Sequence, residues 1–299
     1  MPRRLHLSVA LDVAPDDDSA SRWAALTRLA EQGTLDFVTA ADATALTGVA
    51  PVTSRVGLVP AVPADRADPP RAAAVLAGLD SASGGRAGWL VDVPAGGTDS
   101  GRRDPTSGPD RWAGAADTVA AAVRLWDGRD TAATAPRPPQ GRPPVAVALD
   151  VHDTDGQWEL AALHAELVLL DADGPATARL ARAALRRRVT EAGRDPDGLR
   201  VLLRLAVGLG GTGDRLPPAE ARFTGTAADL AGLLADWRAA GGVDGFHLLP
   251  ASAPADLAAV VHDAVPVLRE RGLLRTAYTG GTLREHLGLR TPRPARTGH

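Results

Sequence analysis

The sequence of 299 residues contains no cysteine, which excludes a disulfide frame, a thiolate nucleophile and any cysteine-based zinc or iron–sulfur centre. Lysine, isoleucine and asparagine are absent too, so all 33 basic side chains are arginine. This bias, with abundant Ala, Gly, Pro and Asp, reflects a GC-rich coding sequence and not an activity. A formal charge of −3 gives no basic footprint for nucleic acid or an anionic membrane surface. No apolar run reaches the roughly 18 residues that a membrane span needs. The short apolar run near the amino terminus ends at Asp16 to Asp18, which does not fit a signal peptide. A soluble cytoplasmic protein is the expectation.

What is present is enough apolar material, 44% of the chain, to bury one full core. A single domain over residues 1–289 is expected, followed by a Pro/Arg/Thr-rich tail, 290–299, that offers nothing to bury. Short β-type runs alternate with longer amphipathic stretches from end to end, the pattern of a parallel sheet covered by helices. Strands are predicted at Leu5 to Val13, Asp36 to Ala41, Arg55 to Ala61, Gly88 to Val93, Pro144 to Asp150, Leu167 to Asp171, Leu199 to Leu209 and Gly245 to Leu249. Helices are predicted at Ser21 to Gln32, Arg111 to Trp126, Ala176 to Ala192, Ala227 to Ala240 and Ala255 to Arg271, with a stunted one near Ala45 to Val52. Thr226, three residues before Asp229, reads as an N-cap, and Gly241 as a helix stop. Eight strands point to a closed (β/α)8 TIM barrel, since an open doubly wound sheet more often stops at five or six.

In such a barrel the chemistry sits where strands end, at the C-terminal mouth. That rule selects Asp12, Asp42, Asp92, Asp150, His152, Asp171, Asp173 and His247. Paired carboxylates with a nearby histidine can perform acid–base work or bind a divalent metal. The competing reading of each Asp is a cap or a solvated loop residue. No metal set is assigned. Gly208, Gly210 and Gly211 close the seventh strand, where barrels often build a phosphate site from backbone amides; neither a Rossmann fingerprint nor a P-loop lysine is present. The six tryptophans are scattered singly, which suits helix packing better than a base-stacking platform.

The segment LDSASGGRAGW, Leu79 to Trp89, resembles the LD-x-x-S-x-GR-x-GW stretch of luciferase-like flavin monooxygenases. VPVLRERG at Val265 to Gly272, followed by RTAYTGGTLREHLGL at Arg275 to Leu289, resembles the closing signature of their nitrilotriacetate and dibenzothiophene-sulfone monooxygenase branch. Further matches run in the same order: the stretch ending at Asp42, DRWAGAADTVAAAVRLWD ending at Asp127, PQGRP at Pro139 to Pro143, AGRDPDGLRVL at Ala192 to Leu202, FTGTAADLAGLLADW at Phe223 to Trp237, and VDGFHLLP at Val243 to Pro250.

The resemblance implies the same barrel, reduced FMN supplied by a separate flavin reductase, oxygen capture at the flavin C4a position and oxygenation of a small organic substrate; coenzyme F420 is the less favoured cofactor. It places Asp42 near the flavin ring and Trp112 at the tyrosine of the family's RY pair. Elsewhere the chain departs from the pattern. Leu90, Val93 and Ala61 stand where the family has Asn, Thr and Thr, ALDVHDTDG at Ala148 to Gly156 replaces a phosphate-holding QAG-x-S segment, and two long insertions are missing, one of them a lid.

Two functions follow. The first is a trimmed monooxygenase holding FMN through Asp42, Trp112 and the Gly208, Gly210 and Gly211 turn. The second is a flavin-free descendant, either a cofactor-independent enzyme using Asp42, Asp150, His152 and His247 or a noncatalytic partner subunit. A stunted second helix and missing insertions leave barrel surface to cover, so a homodimer or hetero-oligomer is expected.

Overall fold

The computed structural model describes residues 4–13, 19–64, 68–93, 109–128, 137–152, 155–211 and 213–292. Its first half alternates β1 (His6–Ala10), α1 (Ser19–Gln32), β2 (Phe37–Ala40), α2 (Ala43–Val49), β3 (Gly57–Pro63), α3 (Pro69–Ser83), β4 (Trp89–Asp92) and α4 (Pro109–Trp126). The second half continues with β5 (Val145–Asp150), α5 (Asp155–His164), β6 (Leu167–Asp171), α6 (Pro175–Glu191), β7 (Arg200–Leu209), β8 (Ala221–Gly225), α7 (Ala227–Ala240) and β9 (Gly245–Pro250). It ends with α8 (Ala253–Ala259), α9 (Val265–Glu270) and α10 (Leu283–His286).

Every pairing is parallel, and the order β6-β5-β4-β3-β2-β1-β9-β7 closes through β6 against β7. All eight predicted strands are therefore present and form the expected barrel. The expected tail lies outside the described residues from position 293.

Two features depart from expectation. β8 was not anticipated; it pairs with Leu205 to Leu209 of β7, whereas β6 pairs with Arg200 to Leu203. Only Ala221 of its five residues is buried, so its sequence carries almost no apolar pattern. The last long helix, predicted as continuous, is broken by a π-helical turn at Val260–Ala264 between α8 and α9. Pro266 has no N–H to offer the preceding turn, and Val265 N reaches Val260 O, five residues back.

Side-chain alternation divides the core in two. Outward residues such as Leu7, Val9, Val38 and Leu58 join the helices in one cluster. Inward residues Phe37, Val59, Ala146, Leu167, Leu169 and Leu202 form a second, closed from below by Leu283, Leu287 and Leu289 around α10. Gly57 makes this plug fit, since a Cβ there would stand 2.6 Å from Leu283 Cδ1 and 2.9 Å from Phe37 Cβ. α10 itself is held by a capping box between Thr282 and Glu285. The lower barrel is thus filled by apolar side chains.

Candidate functional site

Above the apolar floor the inward positions become polar. Ser8 on β1, Thr39 on β2 and His247 on β9 meet there, with Ser8 Oγ 2.9 Å from His247 Nδ1 and Thr39 Oγ1 3.2 Å from Nε2. The imidazole stacks on Phe37, ring centroids 6.0 Å apart. Burial, and then the charge of Arg204, push its pKa down to about 3, so it is neutral across the physiological range. Both ring nitrogens are engaged and the residue is 2% exposed. His247 therefore holds the barrel wall together and is not a free base.

Arg204 belongs to this layer as well. It lies two residues beyond the inward Leu202 and in register with His247. Its Nη1 donates to Asp171 Oδ2 at 2.7 Å, while Asp171 Oδ1 accepts from Glu220 N at 2.8 Å. The carboxylate ending β6 is thus an anchor for Arg204 and for the segment entering β8. Towards the mouth the inward positions include the short Ala10, Ala61 and Ala206, and Asp150 in register with Asp171.

The other predicted residues are spread around the rim. Asp42 caps α2, accepting from Thr44 N at 2.8 Å and Ala45 N at 3.2 Å. It borders a cleft of about 280 Å³ between α1 and α2, shared with Ser19, Trp23 and Val49. Asp150 accepts from His152 N at 2.8 Å, which tightens the turn after β5, and the His152 side chain is exposed. Trp112 is buried in α4 with Arg111 over its ring and no room for a Cβ at Gly156 beside it. Asp42, Asp150 and His247 make no hydrogen bond to one another. Among the described residues no three His, Asp or Glu side chains cluster as a metal site.

The predicted glycine turn does form an open cleft. Gly208, Gly210, Gly211, Gly213, Thr224 and Gly225 line about 580 Å³ at the top of β7 and β8. Gly210 and Gly211 adopt φ of 64° and 99°, a region L-residues avoid, and a Cβ on either would point into empty space. The described lining residues carry no charged side chain. Leu209 N is already used on the buried Asp256 carboxylate and Gly210 N on Gly225 O, so the donors left towards the cleft are Gly211 N and the Thr224 hydroxyl.

Arg204, Ser8 and Thr39 were not selected from the sequence. The signal was available for Arg204: in LRVLLRLAVGL it is the sole charge between Val201 and Leu209, on the inward phase of the strand.

Comparison with known proteins gives this geometry a context. EDTA monooxygenase from Chelativorans sp. BNC1 superposes with a TM-score of 0.84 at 20% identity, covering 97% of this chain and 99% of that one. Nitrilotriacetate monooxygenase component A of Aminobacter aminovorans is 24% identical over 411 aligned positions, covering 91% of this chain and 90% of the relative. That alignment is longer than the present chain, so the relative carries insertions that this chain lacks. N-acetyl-S-(2-succino)cysteine monooxygenase of Bacillus subtilis is 41% identical over 70 residues, a match spanning only 16% of that protein. No helix among the described residues is long and apolar enough to cross a membrane. The sequence model described as "Luciferase-like monooxygenase" matches residues 5–222, most of the barrel just described, and the chain belongs to that family.

Proposed function

We propose that the protein is the oxygenating component of a two-component, FMN-dependent monooxygenase acting on a small organic substrate. The observation that carries this reading is the open glycine cleft at the end of β7, whose described lining carries no charged side chain and which suits the phosphate end of a flavin. Reduced flavin supplies the electrons that activate dioxygen for transfer to the substrate. The chain's own part is to hold and orient. The Gly211 amide and the Thr224 hydroxyl would hold the phosphate, His247 stays neutral in the barrel wall, and the short inward side chains would leave room for the ring. A separate reductase would deliver the reduced flavin.

Cofactor-independent catalysis finds less support. Asp42 and Asp150 are bound to backbone amides, and His247 is held between two hydroxyls. A flavin-free partner subunit draws support from the turn after β5, where Asp150 and His152 occupy the segment in which the family resemblance expects phosphate contacts. Large exposed apolar side chains among the described residues are Val52, Val75, Leu163 and Leu180, on four different elements, which is a thin basis for extensive burial between subunits.

Anaerobic titration with FMN and with reduced FMN, followed by absorbance and fluorescence, separates the two. Saturable micromolar binding is expected, with Gly211→Val weakening it at least about tenfold by straining a left-handed position and filling the cleft. F420 is expected to bind more weakly. If wild type binds neither redox state of FMN, the monooxygenase reading falls and the partner-subunit reading stands.

A further inference from the structure

We infer that Arg204 anchors an oxyanion of the substrate, a carboxylate or its chemical equivalent, at the base of the barrel mouth. This rests on the proposed reading of that mouth as the site of catalysis and names the class of molecule it takes.

The argument begins with how this fold treats its other buried arginines. Arg86 donates from Nε, Nη1 and Nη2 to Ser83, Thr53, Val56 and Ala50. Arg200 uses all three nitrogens on the carbonyls of Leu287, Asp197, Leu199 and Gly288. Arg284 does the same with Arg142, Glu166 and Arg290. These three guanidinium groups, fixed at the strand bottoms and helix ends, are saturated by protein partners. Arg204 differs from them. Only Nη1 is engaged, Nε and Nη2 have no partner among the described residues, and the side chain is 28% exposed although it lies on an inward barrel position.

Its nearest described neighbours leave one edge free, although Asp150 stands in register with Asp171 one strand away. Both oxygens of Asp171 are in use, one on Arg204 and one on Glu220 N. His247 is neutral, and the inward neighbours on the next level, Ala206 and Leu249, are apolar. The open edge therefore presents two parallel N–H donors at a partly exposed inward position, the geometry that a carboxylate meets with two hydrogen bonds. The asymmetry follows from the strand branching. Arg204 sits between Leu203, which pairs with β6, and Leu205, which pairs with β8, so Asp171 at the end of β6 fixes one edge of the guanidinium while the other faces the mouth.

A flavin phosphate is not the expected occupant. Gly208 lies four residues further along β7, roughly 13 Å at 3.3 Å per residue. An anion on Arg204 and a phosphate in the glycine cleft are therefore separate groups. The substrate is expected to be a small molecule with a terminal carboxylate and an apolar remainder lying against the alanine-lined wall.

The test uses protein carrying isotope-labelled arginine and follows the Nε–Hε resonances by NMR during titration with acetate and with succinate, without flavin. The Arg204 resonance, identified by its absence from Arg204→Met, is expected to shift saturably in the millimolar range. Arg204→Lys should bind succinate about tenfold more weakly, because an ammonium cannot form the fork. Because Arg204→Met leaves Asp171 unpaired, Arg204→Met combined with Asp171→Asn provides a variant with no stranded charge. It should lose succinate binding while keeping its thermal midpoint and its affinity for FMN. An Arg204 resonance that does not respond in wild type, or undiminished succinate binding by the double variant, overturns the inference. Loss of FMN binding in the double variant, with no carboxylate response in wild type, would reassign Arg204 to the flavin and overturn it as well. Carboxylate binding by a wild type that binds no flavin would support the anchor and sink the flavin reading alone.

Discussion

Arg284→Ala is expected to destabilise the fold by about 3–5 kcal/mol, the cost of removing one partner from a buried ion pair. The residue is 2% exposed, and its guanidinium forks onto Glu166 at 2.9 and 2.5 Å. It also donates to the carbonyls of Arg142 and Arg290 at 2.7 and 2.8 Å. Arg142 lies just before β5 and Glu166 just before β6, so one side chain fastens the α10 plug to the bottom of two strands. The alanine variant strands the Glu166 carboxylate, frees two carbonyls and loosens the seat of Leu283. Arg284→Lys should recover little, because a single ammonium cannot reproduce four directed bonds. Urea denaturation followed by tryptophan fluorescence checks this. A loss below about 1 kcal/mol would mean that α10 detaches without affecting the barrel.

Acidification is the second large effect. His247 is pushed down to about 3 by burial and then Arg204, and His286 to about 4 by burial and then Arg275. His164 is pushed down to about 4 by burial and then Arg194. Each is neutral in the native state below pH 6.5, where the unfolded chain takes up a proton, so each removes stability as pH falls from 6.5 towards its native value. Asp80 opposes them. Burial raises its pKa from 3.8 to about 6, so the native state takes up one proton that the unfolded state does not until pH approaches 3.8. Three protons against one leave a net of two, or about 2.7 kcal/mol of stability lost per pH unit between about pH 6 and 4. Urea midpoints across that window measure the slope. His247→Gln, which can keep bonds to Ser8 and Thr39, should lower it by about 1.4 kcal/mol per pH unit. An unchanged slope would show that His247 is not held neutral.

Much of the barrel was legible because its strands are apolar runs with clear ends. Leu167 to Asp171 was placed to the residue, and Thr226 caps α7 as its spacing with Asp229 implied. What escaped was structure defined by pairing and not by pattern. β8 has a single buried residue and gains its identity only from the edge of β7. The π-helical turn arises from a missing donor at Pro266 inside an otherwise regular apolar repeat. The candidate site divides the same way. The glycine turn could be read directly, because left-handed backbone demands glycine, and the reading of aspartates as caps describes Asp42 and Asp150. The geometry of His247 could not be read: its position gives no sign that two hydroxyls from strands more than 200 residues earlier will close over both ring nitrogens. Arg204 was hidden by the apolar character of its own strand.

The division of β7 between two neighbours has a geometric consequence. Its lower half is flanked by β6 and β9, its upper half by β8 and β9. β8 therefore takes up the edge of β7 where β6 leaves it, so the wall stays closed above the end of β6. The join is at Asp171, where a single carboxylate ties the last residue of one stave to the segment that begins the next, through Arg204 and Glu220 N. A break at that carboxylate would open the wall on one side and leave the apolar base undisturbed.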